Sequence, residues 1–308
     1  MTTAFYTHPA CKLHEMGADH PESPLRLSTI DDYLITSRID DLVLHCEAPL
    51  ATEDELALVH TRGTIARIKE HTPEFGYYPL DGDTLLNPSS WTAARAAAGA
   101  AIAATKAVLD GEVENAFCSI RPPGHHATPD EAMGFCLFNN LALAAKHALD
   151  VHGLERIAIV DFDVHHGNGT QAVFENDPRV LMVSFFQHPC YPYSGTEFIS
   201  KNMLNLPVPA YTDGALIRSL VEQHWLPALH AHQPQMIFIS AGFDAHREDL
   251  IGQLGLVEAD YAWITMQIMQ IAKQYSFSRV VSCLEGGYNT SALGRSVVAH
   301  IKVLAGLD

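Results

Sequence analysis

The chain has 308 residues, of which 47% are hydrophobic and only 18% are charged. This composition excludes a disordered or low-complexity chain and is sufficient for a large buried core. The formal net charge of −17 at pH 7 argues against nucleic-acid binding, which needs a basic surface, and it would attract cationic substrates.

Targeting and membrane signals are not evident in the sequence. Residues 1–9 lack a basic region followed by an apolar run, and no apolar stretch approaches the roughly 18 residues of a membrane helix. The six cysteines form no CxxC pair, which favours a reducing compartment over a disulfide framework. We therefore expect a cytoplasmic protein without a membrane partner.

Short apolar runs alternate with helical patterns along the chain. The runs are rich in Ile, Val and Phe, which predicts strands covered on both faces at residues 116–120, 156–161, 180–185, 236–240 and 280–284. Helical patterns occupy residues 22–37, 90–109, 139–152, 214–230, 258–275 and 290–304. The alternation predicts one α/β domain over residues 1–308, with a mostly parallel sheet, helices on both faces, and ligands at the carboxyl ends of the strands.

The first predicted strand is followed by residues 121–126, which read RPPGHH. Adjacent imidazoles at His125 and His126 suit proton transfer at neutral pH, and each needs a partner that fixes its tautomer. Asp161 and Asn168 are the candidate partners. A histidine pair alone more often belongs to an ordinary solvated loop, but the Pro-Pro-Gly before this pair and the apolar strand beneath it favour a functional role.

The second and fourth predicted strands deliver acidic residues to the same edge. Residues 161–169 read DFDVHHGNG, and alternate residues of an extended chain share a face, so Asp161, Asp163 and His165 point the same way. The fourth strand leads into a loop that contains Asp244. Two carboxylates and an imidazole form a good site for a divalent metal ion, and zinc accepts both ligand types. Each segment alone also fits a plain acidic strand end.

The last predicted strand leads into residues 285–289, which read EGGYN. Two glycines permit a tight turn, and the hydroxyl of Tyr288 can donate a hydrogen bond to an oxyanion. The same residues also fit a simple strand-to-helix turn with a packed tyrosine.

Together these segments resemble the histone deacetylase superfamily, including its bacterial deacetylase-like amidohydrolases. The likeness runs from residues 20–26, HPESPLR, to the EGGY turn, with the motifs in the family's order and spacing. It implies the three-layer arginase–deacetylase fold, with a mostly parallel eight-stranded sheet and helices on both faces. It also implies one zinc ion per chain on Asp163, His165 and Asp244, which Fe²⁺ could replace, and a structural potassium ion.

The resemblance also assigns the catalytic positions. His125 and His126 match the tandem histidine pair of the family, and Asp161 matches the acid beside the first histidine. Asn168 stands where class II members have Asn, and Tyr288 matches the catalytic tyrosine. These matches imply amide hydrolysis by metal-activated water, with His126 as the proton acceptor.

Further positions bear on the substrate. Phe135 and Tyr191 resemble the aromatic walls of an acyl-lysine tunnel, beside Gly134, and Tyr191 stands where many members have Phe. Ile251 occupies the gatekeeper position, which is Glu in polyamine deacetylases, and therefore favours acyl-lysine. Asp83 is similar to the acid that binds the substrate backbone at the rim.

Two features are implied next to the site. Arg26 resembles the arginine of an internal channel. The residues that match the family's potassium site are Asp161, Asp163, His165, Ser184 and Phe185.

The expected function is zinc-dependent removal of acetyl or other acyl groups from lysine side chains of proteins or peptides. Nucleic acid is not an expected partner, and homo-oligomerisation is left open. Three alternatives remain: the same reaction on acetylpolyamines or other small amides, an arginase-like hydrolase with two manganese ions, and a non-catalytic protein that binds acyl-lysine.

Overall fold

In the computed structural model, which describes residues 2–307, eight strands form one parallel sheet and two short strands form a separate antiparallel pair. In chain order the strands are β1 (Thr3–Thr7), β2 (Leu44–Glu47), β3 (Tyr78–Pro79), β4 (Leu85–Leu86), β5 (Asn115–Cys118), β6 (Ile157–Asp161), β7 (Val180–Gln187), β8 (Met203–Val208), β9 (Met236–Ala241) and β10 (Val280–Leu284). The large sheet has the order β2-β1-β5-β10-β9-β6-β7-β8, and every neighbouring pair in it is parallel.

The helices flank this sheet in two groups. In one group α10 packs on both α1 and α9, and α4 and α5 form a second packed pair. In chain order the helices are α1 (Leu25–Thr36), α2 (Glu53–Leu56), α3 (Arg62–His71), α4 (Ser90–Leu109), α5 (Asn140–Asp150), α6 (Asn168–Phe174), α7 (Gly214–Leu220), α8 (Leu226–His232), α9 (Glu258–Tyr275) and α10 (Thr290–Leu304). Among the described residues, no helix is both long enough and apolar enough to span a bilayer.

The central strands of the sheet are buried along their whole length. Every residue of β5, β6, β7, β9 and β10 is buried, as expected for strands that helices cover on both faces. The predicted α/β class with a mostly parallel eight-stranded sheet is therefore confirmed. Four of these strands, β5, β10, β9 and β6, are consecutive neighbours, and each leads into one of the four sequence motifs.

Several predicted boundaries were wrong, and five strands were missed: β1, β2 and β8 of the large sheet and the short pair β3 and β4. The helix predicted at 22–37 begins at Leu25, because Pro24 restricts the residue before it and Glu22 turns inward to pair with arginines. The helix predicted at 214–230 is divided by a π turn at Val221–Trp225. Strands β2 and β8 lie at the sheet edges, where polar residues interrupt the apolar run, and the short β1 begins and ends in threonine.

Candidate active site and metal centre

A cluster of three buried side chains lies at the carboxyl ends of β6 and β9. The Nδ1 atom of His165 lies 2.9 Å from Asp163 Oδ1 and 3.2 Å from Asp244 Oδ2. Each residue offers one ligand atom, and these atoms lie within 4.8 Å of one another. The structure thus brings together the three residues that the sequence predicted as metal ligands.

Hydrogen bonds from the main chain orient the two carboxylates. Asp163 accepts from the amide of His165 (2.8 Å) and from that of Gly286 (2.9 Å). Asp244 Oδ1 accepts from the amide of Val164 (2.9 Å), but its buried Oδ2 accepts no hydrogen bond within the described part of the chain. An unpartnered carboxylate oxygen is costly in a protein interior, so this atom needs a cation or a proton.

The donor set and the available space both fit a divalent metal ion. Two carboxylate oxygens and one imidazole nitrogen match the ligands of catalytic zinc sites, which keep a coordination position open. Gly286 leaves room for the ion, because a β-carbon at this position would lie 1.9 Å from Asp244 Oδ2 and 2.7 Å from Asp163 Oδ2. His246 does not join the cluster; its Nδ1 accepts from the amide of Glu248 in the same loop.

The histidine pair lies next to the cluster, with the two ring centres 4.0 Å apart. His125 Nδ1 lies 3.0 Å from Asp161 Oδ2, and His126 Nδ1 lies 2.8 Å from Asn168 Oδ1. Because an amide oxygen accepts only, His126 Nδ1 carries the proton and donates it to this bond. The Nε2 atom of His126 is therefore free to accept a proton.

The surroundings give the two histidines opposite proton affinities. Burial lowers the pKa of His125, but the carboxylates of Asp163 and Asp161 outweigh burial and raise it to about 10. Burial and the neighbouring His125 and His165 hold the pKa of His126 well below its usual value. A cationic His125 thus stands beside a neutral His126. The first can donate a proton or positive charge, and the second can accept a proton.

Glu285 fixes the loop that carries the pair. Its buried carboxylate accepts from the amides of Gly124 (2.7 Å) and His125 (3.1 Å). The sequence analysis named the motif that begins at Glu285 but gave this side chain no role. The sequence feature that could have indicated this role is a glutamate directly after a buried strand, because a buried ionisable residue needs dedicated partners.

Tyr288 faces the cluster from the turn after β10 and is supported by Arg26. The guanidinium carbon of Arg26 lies 5.0 Å from the centre of the Tyr288 ring, and its Nε donates to the carbonyl of Gly287 (2.7 Å). Burial keeps the pKa of Tyr288 well above its usual value, so the hydroxyl remains a proton donor. Arg26 was predicted as a channel residue; in the structure it contacts this turn and the carboxylate of Glu22.

A buried carboxylate shared by two arginines lies behind this turn. Glu22 accepts from Arg26 Nη1 (3.0 Å) and from Arg121 Nη2 (2.6 Å), and Arg121 also donates to the carbonyl of Cys11 (2.8 Å). These charges link the amino-terminal segment to the RPPGHH loop. The sequence analysis did not assign Glu22 or Arg121, although the four-residue spacing of Glu22 and Arg26 is a recognisable signal.

A narrow cleft of about 150 Å³ leads from the surface to the cluster. The residues that line it are Asp83, His126, Gly134, Phe135, His165, Tyr191, Ile251 and Tyr288. All five residues predicted to contact substrate are among them. A larger surface groove of about 550 Å³ lies elsewhere, around the start of β7, and contains none of these residues.

The cleft walls are aromatic and tightly fitted. The Phe135 ring centre lies 6.0 Å from that of Tyr288, and the Tyr191 ring centre lies 5.1 Å from that of His126. A β-carbon at Gly134 would come within 2.9 Å of both Tyr191 and His126, so only glycine fits between these walls. The cleft therefore suits a slender alkyl chain.

The residues predicted for potassium lie beside the same strand end. Ser184 on β7 pairs in register with Asp161 on β6, and its hydroxyl donates to Asn205 (3.1 Å). The ring of Phe185 is buried and stacks on Trp225 at 5.5 Å.

Comparison with known proteins gives the class and the family. A family model described as histone deacetylase domain matches residues 20–304. The chain belongs to the histone deacetylase family, whose members are deacetylases and related amidohydrolases, and it is therefore placed among hydrolases.

Particular relatives cover nearly the whole chain. A histone deacetylase-like amidohydrolase of Pseudomonas aeruginosa is 35% identical, over 99% of this chain and 86% of that protein. Polyamine deacetylase HDAC10 of Homo sapiens is also 35% identical, over 99% of this chain and 48% of that protein. The crystal structure of the HDA15 HD domain matches with a TM-score of 0.93 at 34% identity, covering 99% of this chain and 89% of that one. This likeness confirms the expected deacetylase fold.

Proposed function

We propose that the protein is a zinc-dependent deacylase that removes acetyl or other acyl groups from the ε-amine of lysine in peptides or proteins. The observation that carries this proposal is the aromatic cleft, whose lining includes His126, Tyr288 and His165. Through His165 the cleft reaches the cluster with Asp163 and Asp244. An acylated lysine is a slender alkyl chain that ends in an amide, and it matches this shape. Family membership supports the reaction class.

The metal ion would be held by Asp163, His165 and Asp244, and Fe²⁺ accepts the same ligands as zinc. When bound, a divalent ion polarises an amide carbonyl and acidifies a water molecule. A potassium ion beside Asp161 and Ser184 is part of the same proposal, because their carbonyl and hydroxyl oxygens suit a hard cation.

The side chains divide the remaining work. His126 Nε2 accepts a proton from the attacking water, since its Nδ1 is committed to Asn168. The Tyr288 hydroxyl donates to the carbonyl oxygen as that atom gains negative charge. His125, held cationic by Asp161, supplies positive charge, and a protonated histidine of the pair then donates to the leaving amine.

The cleft holds the substrate during these steps. Phe135 and Tyr191 clasp the alkyl chain and exclude water from the reacting amide. Asp83 lies at the rim, where its carboxylate can accept hydrogen bonds from the substrate backbone. Ile251 presents an apolar surface at the position that decides between a neutral and a cationic amine tail.

A second candidate is the same reaction on acetylpolyamines. The carboxylate at Asp83, the net charge of −17 and the similarity to a human polyamine deacetylase favour it. Ile251 opposes it, because an apolar side chain gives no partner to a second ammonium group.

A turnover screen of the purified protein tests both candidates. It would compare acetyl-, longer-acyl- and trifluoroacetyl-lysine peptides with acetylspermidine, and each would be measured with and without chelator. We expect chelator-sensitive hydrolysis with the highest kcat/KM on acyl-lysine and one metal ion per chain by elemental analysis. Preference for acetylspermidine would select the second candidate. Two manganese ions per chain would select the arginase-like alternative, and no turnover with retained acyl-lysine binding would select a non-catalytic protein.

A further inference from the structure

The loop that follows Asp244 carries Ile251 to the cleft, and we call residues 245–252 the gate loop. Asp249 in this loop accepts four main-chain hydrogen bonds with its two carboxylate oxygens. Oδ1 accepts from the amides of Ile251 (2.9 Å) and Gly252 (3.3 Å). Oδ2 accepts from the amides of Tyr288 (2.7 Å) and Asn289 (3.2 Å) in the turn after β10.

We propose that Asp249 is a positioning residue that joins the cleft wall at Ile251 to the hydroxyl donor Tyr288, so that one carboxylate sets both. The inference rests on the proposed function and deepens it. It also gives a role to a residue that the sequence analysis left without one, because Asp249 belongs neither to the three-residue cluster nor to the lining of the cleft.

The turn needs such a support because the two glycines in its backbone can adopt many conformations. Gly287 adopts φ +124°, a region open to glycine, and two glycines precede Tyr288. Arg26 holds the carbonyl of Gly287 and the Tyr288 ring, whereas Asp249 holds the amide of Tyr288 itself. Hydrogen bonds to an ionised carboxylate are shorter and stronger than hydrogen bonds between neutral groups. This contact therefore restricts the main-chain position from which the Tyr288 side chain extends.

The gate loop also depends on Asp249 for its shape. Gly252 packs so closely that a β-carbon there would lie 2.0 Å from the carbonyl oxygen of Asp244. Asn289, the N-cap of α10, donates from its side chain to the carbonyl of Glu248 (3.0 Å), which adds a second bond between loop and turn. The start of α10 is also a favourable place for a negative charge.

Asp249→Asn is the most specific substitution, because it keeps the size of the side chain but replaces one of its two acceptor oxygens by an amino group. A carboxamide has one acceptor oxygen, and its amino group repels any N–H that it faces. Whichever way the carboxamide is turned, it can hold either the gate loop or the Tyr288 turn, but not both.

The matched control is Glu248→Gln. Glu248 is the adjacent carboxylate of the same loop, but its side chain pairs with Arg295 (3.0 Å) and makes no contact with the turn. Its carbonyl bond to Asn289 is unaffected by the substitution.

A double-mutant cycle tests whether Asp249 acts through Tyr288. On an acetyl-lysine peptide we expect Asp249→Asn to lower kcat by about tenfold, which is less than removal of an oxyanion donor itself. In a Tyr288→Phe background the same substitution should change kcat by less than about twofold, because the hydroxyl it positions is gone. Losses that multiply in the double variant would overturn the proposal, as would full kcat in Asp249→Asn.

Hydrogen–deuterium exchange gives a readout that needs no substrate. Amide exchange across residues 285–290 should rise in Asp249→Asn and remain at the wild-type level in Glu248→Gln. Unchanged exchange in Asp249→Asn would overturn the positioning role. If the wild-type protein hydrolysed no acyl amide, the proposed function would fail, while the exchange measurement would still decide whether Asp249 fixes the turn.

Discussion

Replacement of Gly286 by alanine should abolish metal binding while the fold persists. The new β-carbon would lie 1.9 Å from Asp244 Oδ2, and real contacts of this kind essentially never fall below 3.0 Å. The carboxylate must therefore retreat by about 1 Å, which is far beyond the roughly 0.2 Å that metal–ligand distances tolerate. Gly286 itself has no left-handed φ, so alanine adds no backbone strain.

The expected loss follows from this displacement. Changes to residues that only support metal ligands weaken metal affinity about 10- to 100-fold. A substitution that displaces a ligand should do more, so we expect at least about a 100-fold weaker affinity, or about 2.7 kcal/mol. Asp163 Oδ2 would lie 2.7 Å from the same β-carbon, which is also below this limit, so only His165 would remain undisturbed among the three protein ligands.

Competition titration of Zn²⁺ against a chromogenic chelator would measure this loss directly. Gly63→Ala is the matched control, because its β-carbon would meet only Thr61 Oγ1 at 3.8 Å, and it should bind zinc as the wild type does. Asp244→Asn should reproduce the loss without adding volume. Zinc affinity within threefold of wild type in a folded Gly286→Ala variant would refute the assigned ion position.

Three further predictions concern activity, specificity and pH. Tyr288→Phe should lower kcat on acetyl-lysine peptide by about 100-fold, the usual cost of one oxyanion donor, and full activity would remove Tyr288 from the mechanism. Ile251→Glu should raise the kcat/KM ratio of acetylspermidine to acetyl-lysine about five- to tenfold, and an unchanged ratio would show that this side chain does not select the amine. Burial lowers the pKa of His300 from 6.5 to about 3, so the folded protein holds this imidazole in its neutral form. The free energy of unfolding should then be unaffected above about pH 7 and fall by about 2 kcal/mol towards pH 5 on account of this group. Urea titrations should show a flatter pH dependence for His300→Gln, and an equal dependence would contradict this assignment.

The sequence predicted which segments meet because parallel strands leave their carboxyl ends at one edge. Once β5, β6, β9 and β10 are recognised as buried strands, the loops after them must converge. The spacing of Asp163 and His165 then supplies two neighbouring ligands, and Asp244 the third. Strands β1 and β8 were missed because no apolar run distinguishes them, and their place depends on pairing with the sheet already formed.

The supporting residues could not be predicted in the same way. Arg121 meets Glu22 across 99 positions of the chain, and Asp249 meets Tyr288 across 39. No local pattern records such partners, because each contact is created only when the loops are brought together. The pairing of Glu22 with Arg121 and that of Asp249 with the Tyr288 turn therefore cannot be predicted until the fold is known.

These acidic residues connect the loops at the site. Their hydrogen bonds explain how irregular loops can hold the catalytic side chains at fixed positions. A carboxylate of one loop accepts a hydrogen bond from a main-chain amide of another loop. Glu285 after β10 holds the loop after β5 through His125, and Asp163 after β6 accepts from Gly286 after β10. Asp244 after β9 accepts from Val164 after β6. The four loops are thus cross-linked from β5 to β10, from β10 across the intervening β9 to β6, and from β6 to β9. Charge-assisted bonds replace the regular ladder that ends with the sheet. Loss of a single carboxylate should consequently loosen two loops at once, which is why its effect is expected in kcat more than in overall stability.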